Sequence, residues 1–485
     1  MRPSYFTWVV MTLLSLVAPF AAPHSAWASD GEQRELSLED VLESVTEHLP
    51  VIVAARAELS AARGAQLAAE GGFDPTVSLK GNAVAEGYYR YRRMNAEVEQ
   101  PTPLWGTSFI AGWRWSDGNI PDYYGEYNTL SGGELRLGVR VPLLRDGSYD
   151  ARRAAVAQTE AGTAAATAKL ASTRLKLIAD ASAAYYGWVA SGQKLRIAER
   201  LLELAESRDE FVRGRVANGA IPSIEALENQ RAVLRRKSAL VEAERDFKRA
   251  AIRLALYHRD HAGEQWVPER EWLPAAVSLH VPEGENENHV ALARAQRPEL
   301  QEASAKLAAG AAAVRLARNR VAPRLDFELF GSKDLGDAPT EEERDRLARP
   351  QLEGGVLFKI PIPLRTDRGQ RRNAEAKQAA LEADVRWLRD QLQAEVGDVL
   401  ARLRAAREQI ELTEAAVRVS QAVAQGERER FELGVSTLLH VNLREEAAAD
   451  AEAAHTVAEA ELAVTSVLFD VVRGFDPSAS RVGDG

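Results

Sequence analysis

The sequence predicts an α+β membrane protein in which long α-helices dominate and about four β-strands per chain enter a membrane, laid out as two tandem structural repeats. Three observations predict it. The same order of helix, strand and helix occurs in both halves, and the strand segments alternate apolar with polar residues. Beyond the first thirty residues, no segment approaches the roughly 18 consecutive apolar residues that a membrane-spanning helix needs. Whatever enters the membrane must do so as strands.

Taken in order, residues 1–28 read as a secretory signal peptide: Arg2, an apolar run from Tyr5 to Ala22, and small residues at Ala26 and Ala28. The 485-residue chain has a formal net charge of −10, and removing that segment with its single Arg leaves −11. So acidic a chain is a poor ligand for nucleic acid. Cysteine is absent, which excludes disulfides, thiol catalysis and thiolate metal sites.

The repeat is read from landmarks. HLPVIVAARAELSAARGAQLAAEGGFDPTVSLKG in the first half corresponds to AQRPELQEASAKLAAGAAAVRLARNRVAPRLDFELFG in the second, and Pro50 and Pro75 stand as far apart as Pro298 and Pro323. Each copy is an Ala- and Leu-rich helix, 36–71 and 289–320, running into a proline and then an alternating strand. LRLGVRVPLLRDG and GVLFKIPIPLRTDRG close the strand regions, which cover 73–144 in the first half and 324–332 with 352–362 in the second. The first region is 29 residues longer, enough for another hairpin or a large loop.

Long helices follow at 148–217 and 370–433, free of internal proline and rich in helix formers. Leu195, Ala198, Leu201 or Leu202 and Ala205, and likewise Leu381, Val385, Leu388 and Leu392, recur at three- and four-residue spacing. Patterns this long imply coiled-coil packing, and cores this rich in alanine suit a wall of closely spaced helices. Each breaks at a glycine, Gly219 or Gly434, and resumes at once as a return helix, 223–257 or 437–474, with Ser223 or Thr437 as candidate N-caps. The repeats thus cover 29–257 and 289–474, with a proline-rich connector at 258–288 and a patternless tail at 475–485 expected to be disordered.

Around the strands, tyrosine and tryptophan crowd among charged and small residues, as at a membrane–water boundary. Tyr88, Tyr89, Tyr91, Trp105, Trp113 and Trp115, with Tyr123, Tyr124 and Tyr127, read as an interfacial girdle. Four strands cannot close on themselves, and open edges cannot face lipid, so the chain must pair with copies of itself.

This order of features resembles the TolC-type outer-membrane efflux proteins, on the paired proline spacing, the VPLL and IPIPL segments, and the twin tips VANGAIPS and FELGVSTL. The resemblance spans Leu36 to Tyr257 and His289 to Gly474. It implies a homotrimer with a 12-stranded barrel in the outer membrane, a long α-helical barrel across the periplasm, and no cofactor. It further implies a passive exit duct of a tripartite efflux or type I secretion system, fed by a periplasmic adaptor and an inner-membrane transporter. Asn218, Gly219, Ala220, Ile221 and Pro222, with Leu433, Gly434, Val435 and Ser436, match the adaptor-facing tips. Glu225 matches an acidic position that helps hold the gate shut. His440 and Leu443 stand where many relatives carry acidic residues ringing the closed pore; His440 would either give a ring of three imidazoles, a side chain suited to pH switching, or simply cap or pack between helices. The IPIPL segment with RTDRGQ is similar to the cation-efflux branch.

No catalytic constellation accompanies these features: no phosphate-cradling Gly loop, no HExxH, no Gly-x-Ser-x-Gly. His258 and His261 form an H-x-x-H pair that reads more simply as a loop, and Glu341–Asp345 as a solvated external loop. The reading from another class is a periplasmic coiled-coil or adaptor protein without a barrel.

Overall fold

A computed structural model describes residues 35–119, 128–260, 262–277, 288–337 and 340–477. The signal-peptide segment, Tyr123, Tyr124, Tyr127, His261, part of the connector and most of the tail lie outside the described residues.

Each half opens with two helices rather than one. α1 (Leu38–His48) and α2 (Pro50–Glu70) meet at an extended Leu49, and α5 (His289–Gln296) and α6 (Pro298–Arg320) meet at an extended Arg297. The cause is proline: it excludes the helical conformation from the residue before it, yet starts a helix well at the first position. Each second helix then hands over to strand.

Six strands form one antiparallel sheet in sequence order: β1 (Thr76–Val84), β2 (Tyr91–Pro101), β3 (Ser108–Gly118), β4 (Gly133–Pro142), β5 (Arg324–Leu335) and β6 (Gln351–Lys359). Sequence patterning counted about four. The 29 additional residues of the first half account for the difference, because they form a second hairpin. The stretch beginning EEERD is a short helix, α7 (Glu341–Leu347), between β5 and β6 instead of a loop.

Register sorts the sheet into two faces. Val77 lies opposite Val98, Phe109 opposite Val139, Val139 opposite Leu329, and Phe327 opposite Val356, so one face is apolar from edge to edge. The other face is charged and internally paired. Arg114 reaches Glu134 at 2.6 Å, Arg136 reaches Glu353 at 3.0 Å, and Arg140 bridges Glu328 at 2.6 Å and Glu99 at 3.5 Å. A one-residue slip would exchange the faces, so the apolar alternation holds the register.

Below the sheet, α3 (Ala151–Ala217) and α8 (Arg365–Glu432) run 67 and 68 residues, about 100 Å each at about 1.5 Å per residue. α4 (Ser223–Leu254) returns along α3, and α9 (Leu438–Arg473) along α8. α3 also packs on α9, so the lower part is a curtain in the order α4, α3, α9, α8; above, α2, α3, α6 and α8 continue it. Among the described residues no helix is long and apolar enough to cross a membrane.

The largest core lies at mid-height, where Val41, Val45, Ile178, Trp188 and Leu254 are almost fully buried. The Tyr185 hydroxyl donates to the Leu36 carbonyl at 2.9 Å, and burial pushes its pKa far up. A second cluster of Val396, Val399, Leu403, Leu462 and Phe469 is its counterpart in the other half.

Candidate functional site

Both hairpin tips stop with the same backbone device. Gly219 and Gly434 take φ of +68° and +77°, where an L side chain is strained. The Gly219 amide donates to Val216 O at 3.0 Å and the Ala220 amide to Arg215 O at 2.9 Å; Gly434 and Val435 repeat this with Phe431 O and Arg430 O at the same distances. These are Schellman stops, and they turn the chain within four residues.

The structure distributes the sequence-predicted tip residues unevenly. Asn218, Gly219, Ala220 and Pro222 are exposed, as are Leu433, Gly434 and Val435, while Ser436 is half-buried and hydrogen-bonds Glu427. Leu433 is 78% exposed, an uncovered apolar side chain at the end of the molecule. Ile221 turns inward and packs on Val212, Phe431, Leu438 and Val441, a small core that clamps the two tips together.

The capping expectation is corrected. Pro222 occupies the N-cap of α4 and Ser223 is already helical, while Thr437 caps α9 without a side-chain hydrogen bond. Glu225 takes that role from the other hairpin: its Oε2 accepts the Leu438 amide at 3.0 Å across 213 positions of sequence. A carboxylate at a helix N-terminus satisfies a free donor and meets the positive end of the helix dipole. Thr437 turns to His440, with Oγ1 at 3.1 Å from Nδ1. His440 and Leu443 lie three residues apart on an exposed face of α9.

Just inside the tips lies a cluster that patterning missed. Glu445 is 2% exposed, and its carboxylate receives Arg236 at 2.9 Å and Arg208, with Arg428 at 3.5 Å. Arg208 also donates to Asn442 at 3.1 Å, and Arg236 to the Leu201 carbonyl at 2.9 Å. One carboxylate thus joins α3, α4, α8 and α9. Burial lowers the Arg236 pKa, and the hydrogen bond that its guanidinium donates to Glu445 opposes this. The signal was present: Leu438, Val441, Glu445 and Ala448 recur at three and four, so a charge occupies the apolar seam.

At the opposite end, the aromatic residues fall at two levels. Tyr88 and Tyr89 sit on the β1–β2 turn and Tyr91 begins β2; Trp105, with φ of 51°, forms the turn at the helix end of β2 and β3. Trp113 and Trp115 lie on the apolar face of β3, and the Trp113 indole donates to the Gly132 carbonyl at 2.9 Å. In the connector, His258 is buried and stacked on Trp266 at 5.5 Å, and burial lowers its pKa.

A wall of helices some 100 Å long, a sheet with one uninterrupted apolar face, and two glycine-stopped tips decide the class when set beside known proteins. The outer membrane efflux protein family model matches residues 41–257 and 290–467. The chain belongs to that family. Solved structures agree on the fold. CusC superposes with a TM-score of 0.66 at 13% identity, covering 93% of this chain and 96% of that one. The Campylobacter jejuni CmeC outer membrane channel gives 0.63 at 13% identity, with 92% and 88% covered. The Neisseria gonorrhoeae MtrE outer membrane channel gives 0.63 at 17%, with 90% and 89% covered. Comparison with curated protein sequences returns no match. As a member of the family, the chain is an outer-membrane efflux channel with a large helical part in the periplasm.

Proposed function

We propose that three copies of this outer membrane efflux protein form the passive exit duct of a tripartite efflux or type I secretion system. A periplasmic adaptor meets the tips, and an inner-membrane transporter supplies substrate and energy. One observation carries the reading: the two free edges of the helical curtain bear unpartnered apolar stripes. Leu227, Leu234, Val241 and Ile252 share one exposed face of α4, and Trp387, Leu412, Val419 and Val423 share one exposed face of α8. Edges of one copy fit edges of the next, which closes a ring.

In that ring the tips Asn218–Pro222 and Leu433–Ser436 end the duct, and the exposed Leu433 and Val435 offer the adaptor an apolar contact. Glu225 acts as a clasp within each chain, and His440 with Leu443 faces the constriction. Tyr88, Tyr89 and Tyr91 mark one membrane boundary and Trp105 the other. The duct performs no chemistry of its own, and its paired charges suit passage of small molecules or ions. Outer-membrane fractionation followed by native mass measurement tests the reading. A trimer in the outer-membrane fraction is expected, and a monomer there would overturn it.

A further inference from the structure

We infer that Arg365, Arg368 and Arg372, on the first turns of α8, form a docking surface for the acidic headgroups of anionic phospholipid in the membrane leaflet nearest the helices. The inference uses the outer-membrane location of the sheet and does not need the three-copy duct. In a chain of net charge −10, the segment RTDRGQRR from Arg365 to Arg372 holds four arginines and one aspartate. A helix N-terminus is the positive end of the dipole and ordinarily attracts acids, so arginines there work against the helix. Nor does a side chain cap α8: its N-cap is Leu364, which has no acceptor to offer. Cations that oppose the fold locally, where strand gives way to helix, call for an anion from outside the chain.

The acids of this neighbourhood are already used. Asp367 is buried beside Arg145 at 3.8 Å, Glu375 lies 3.1 Å from Arg318 and 3.9 Å from Arg371, and Asp326 lies 2.6 Å from Arg324. Arg365, Arg368 and Arg372 are exposed, and no ion pair among the described residues involves them. Glu375 and Gln378 meet α6 at Arg318 and Gly310. At about 100° per residue, the three arginines stand about a quarter turn from that contact. The face opposite α6 carries Gly369, Ala376 and Ala380, so the arginines point neither into the curtain nor along its edge.

The sheet decides which side they face. β5 rises from the helices, and its apolar-face residues bond toward β4, since the Leu143 amide donates to the Leu325 carbonyl at 2.7 Å. For L-residues this sets β4 to the right of β5 seen from the apolar side, so strands and the helices beneath them follow one another clockwise seen from the sheet end. α8 descends from that end, and a right-handed helix descending also turns clockwise. A quarter turn on from α6 is therefore the outer side, beneath the apolar face. The chain leads there without a break: Leu352, Val356 and Phe358 of β6, then Ile360 and Ile362, are exposed apolar residues, and Arg365 follows. Trp105 lies at the same level, against Gly147. Apolar side chains for the acyl region followed by cations for the headgroups is the order a membrane surface demands, and the planar guanidinium suits a phosphate. The three arginines span about 10 Å of helix, within reach of one headgroup layer.

Native mass spectrometry of the full chain in an uncharged detergent, titrated with phosphatidylglycerol and separately with phosphatidylcholine, reads the preference. Each arginine at an anionic surface is worth about fivefold in binding, so Arg365→Gln with Arg368→Gln and Arg372→Gln should weaken phosphatidylglycerol retention on the order of 100-fold and leave phosphatidylcholine unchanged. The matching lysine triple should keep most of the preference. Arg386→Gln with Arg389→Gln and Arg404→Gln, the same charge change at least about 20 Å farther down α8, should keep all of it. Because the three arginines oppose the dipole, the glutamine triple should melt no lower than the native chain in lipid-free detergent. An undiminished preference in the glutamine triple, no preference in the native chain, or a lowered melting point overturns the inference. If the glutamine triple alone loses its oligomer without lipid, the arginines serve the neighbouring copy and the inference falls. A native chain that is monomeric yet keeps the preference removes the three-copy duct and leaves this surface standing.

Discussion

Glu445 shows how much one side chain does near the tips. Its carboxylate is buried and is the anion for Arg208 and Arg236, with the partly exposed Arg428 beside it. Removing one partner of a buried ion pair leaves an uncompensated charge and typically costs about 3–5 kcal/mol. Glu445→Gln should therefore lower the urea midpoint markedly, and Glu445→Leu with Arg208→Met and Arg236→Met should restore much of the loss. His258 offers a second test through pH. Its folded pKa lies below the ordinary value of about 6.5 because burial disfavours the cation. The unfolded chain then binds a proton that the folded connector refuses, so stability is complete above about pH 6.5 and falls as pH drops beneath it. Protection factors across residues 255–275, corrected for the intrinsic exchange rate at each pH, should fall between pH 7 and 5 in the native chain, and His258→Phe should flatten that dependence. An unchanged slope in the variant would locate the sensitivity elsewhere.

The tips are the element whose sequence speaks most directly, and also where it falls silent. Gly219 and Gly434 were legible because a left-handed stop between two helix-forming stretches calls for glycine. Gly434→Ala should cost roughly 1 kcal/mol from strain at φ +77°, read as a lowered thermal midpoint. Long helices were legible for a similar reason, since propensity and spacing agree over many turns. What patterning could not supply is the cap on α9, because the acceptor is 213 positions away on the other hairpin. Local rules pointed to Ser223 and Thr437, and tertiary contact assigned the task to Glu225. Glu225→Ala should remove about 1 kcal/mol and fray the first turn of α9. Faster exchange at Leu438 to Val441 would register that, with the far end of α9 unchanged; uniform exchange along the helix would contradict the clasp.

On the scale of the whole molecule, the sequence announced strands but undercounted them. A barrel strand needs only about ten residues of alternation, and glycines and charges such as Arg92, Arg93 and Glu97 in β2 blur that signal, whereas a ladder of partners makes it plain. The helical curtain poses the converse case: its outer edges look like ordinary coiled-coil faces until the fold shows that nothing among the described residues covers them. α4 and α8 end the curtain, and each leaves a stripe of large apolar residues in water. Exposure of that kind marks an interface. If the stripes are the seams between copies, Leu412→Glu with Val419→Glu replaces two apolar contacts in each seam with carboxylates that must be desolvated to stay there. The expected result is loss of the trimer on native mass measurement, with far-ultraviolet circular dichroism of the chain unchanged, because both positions face away from the chain's own helices. Retention of the trimer would move the seam elsewhere. Loss of helicity would mean that the substitutions act on the fold itself.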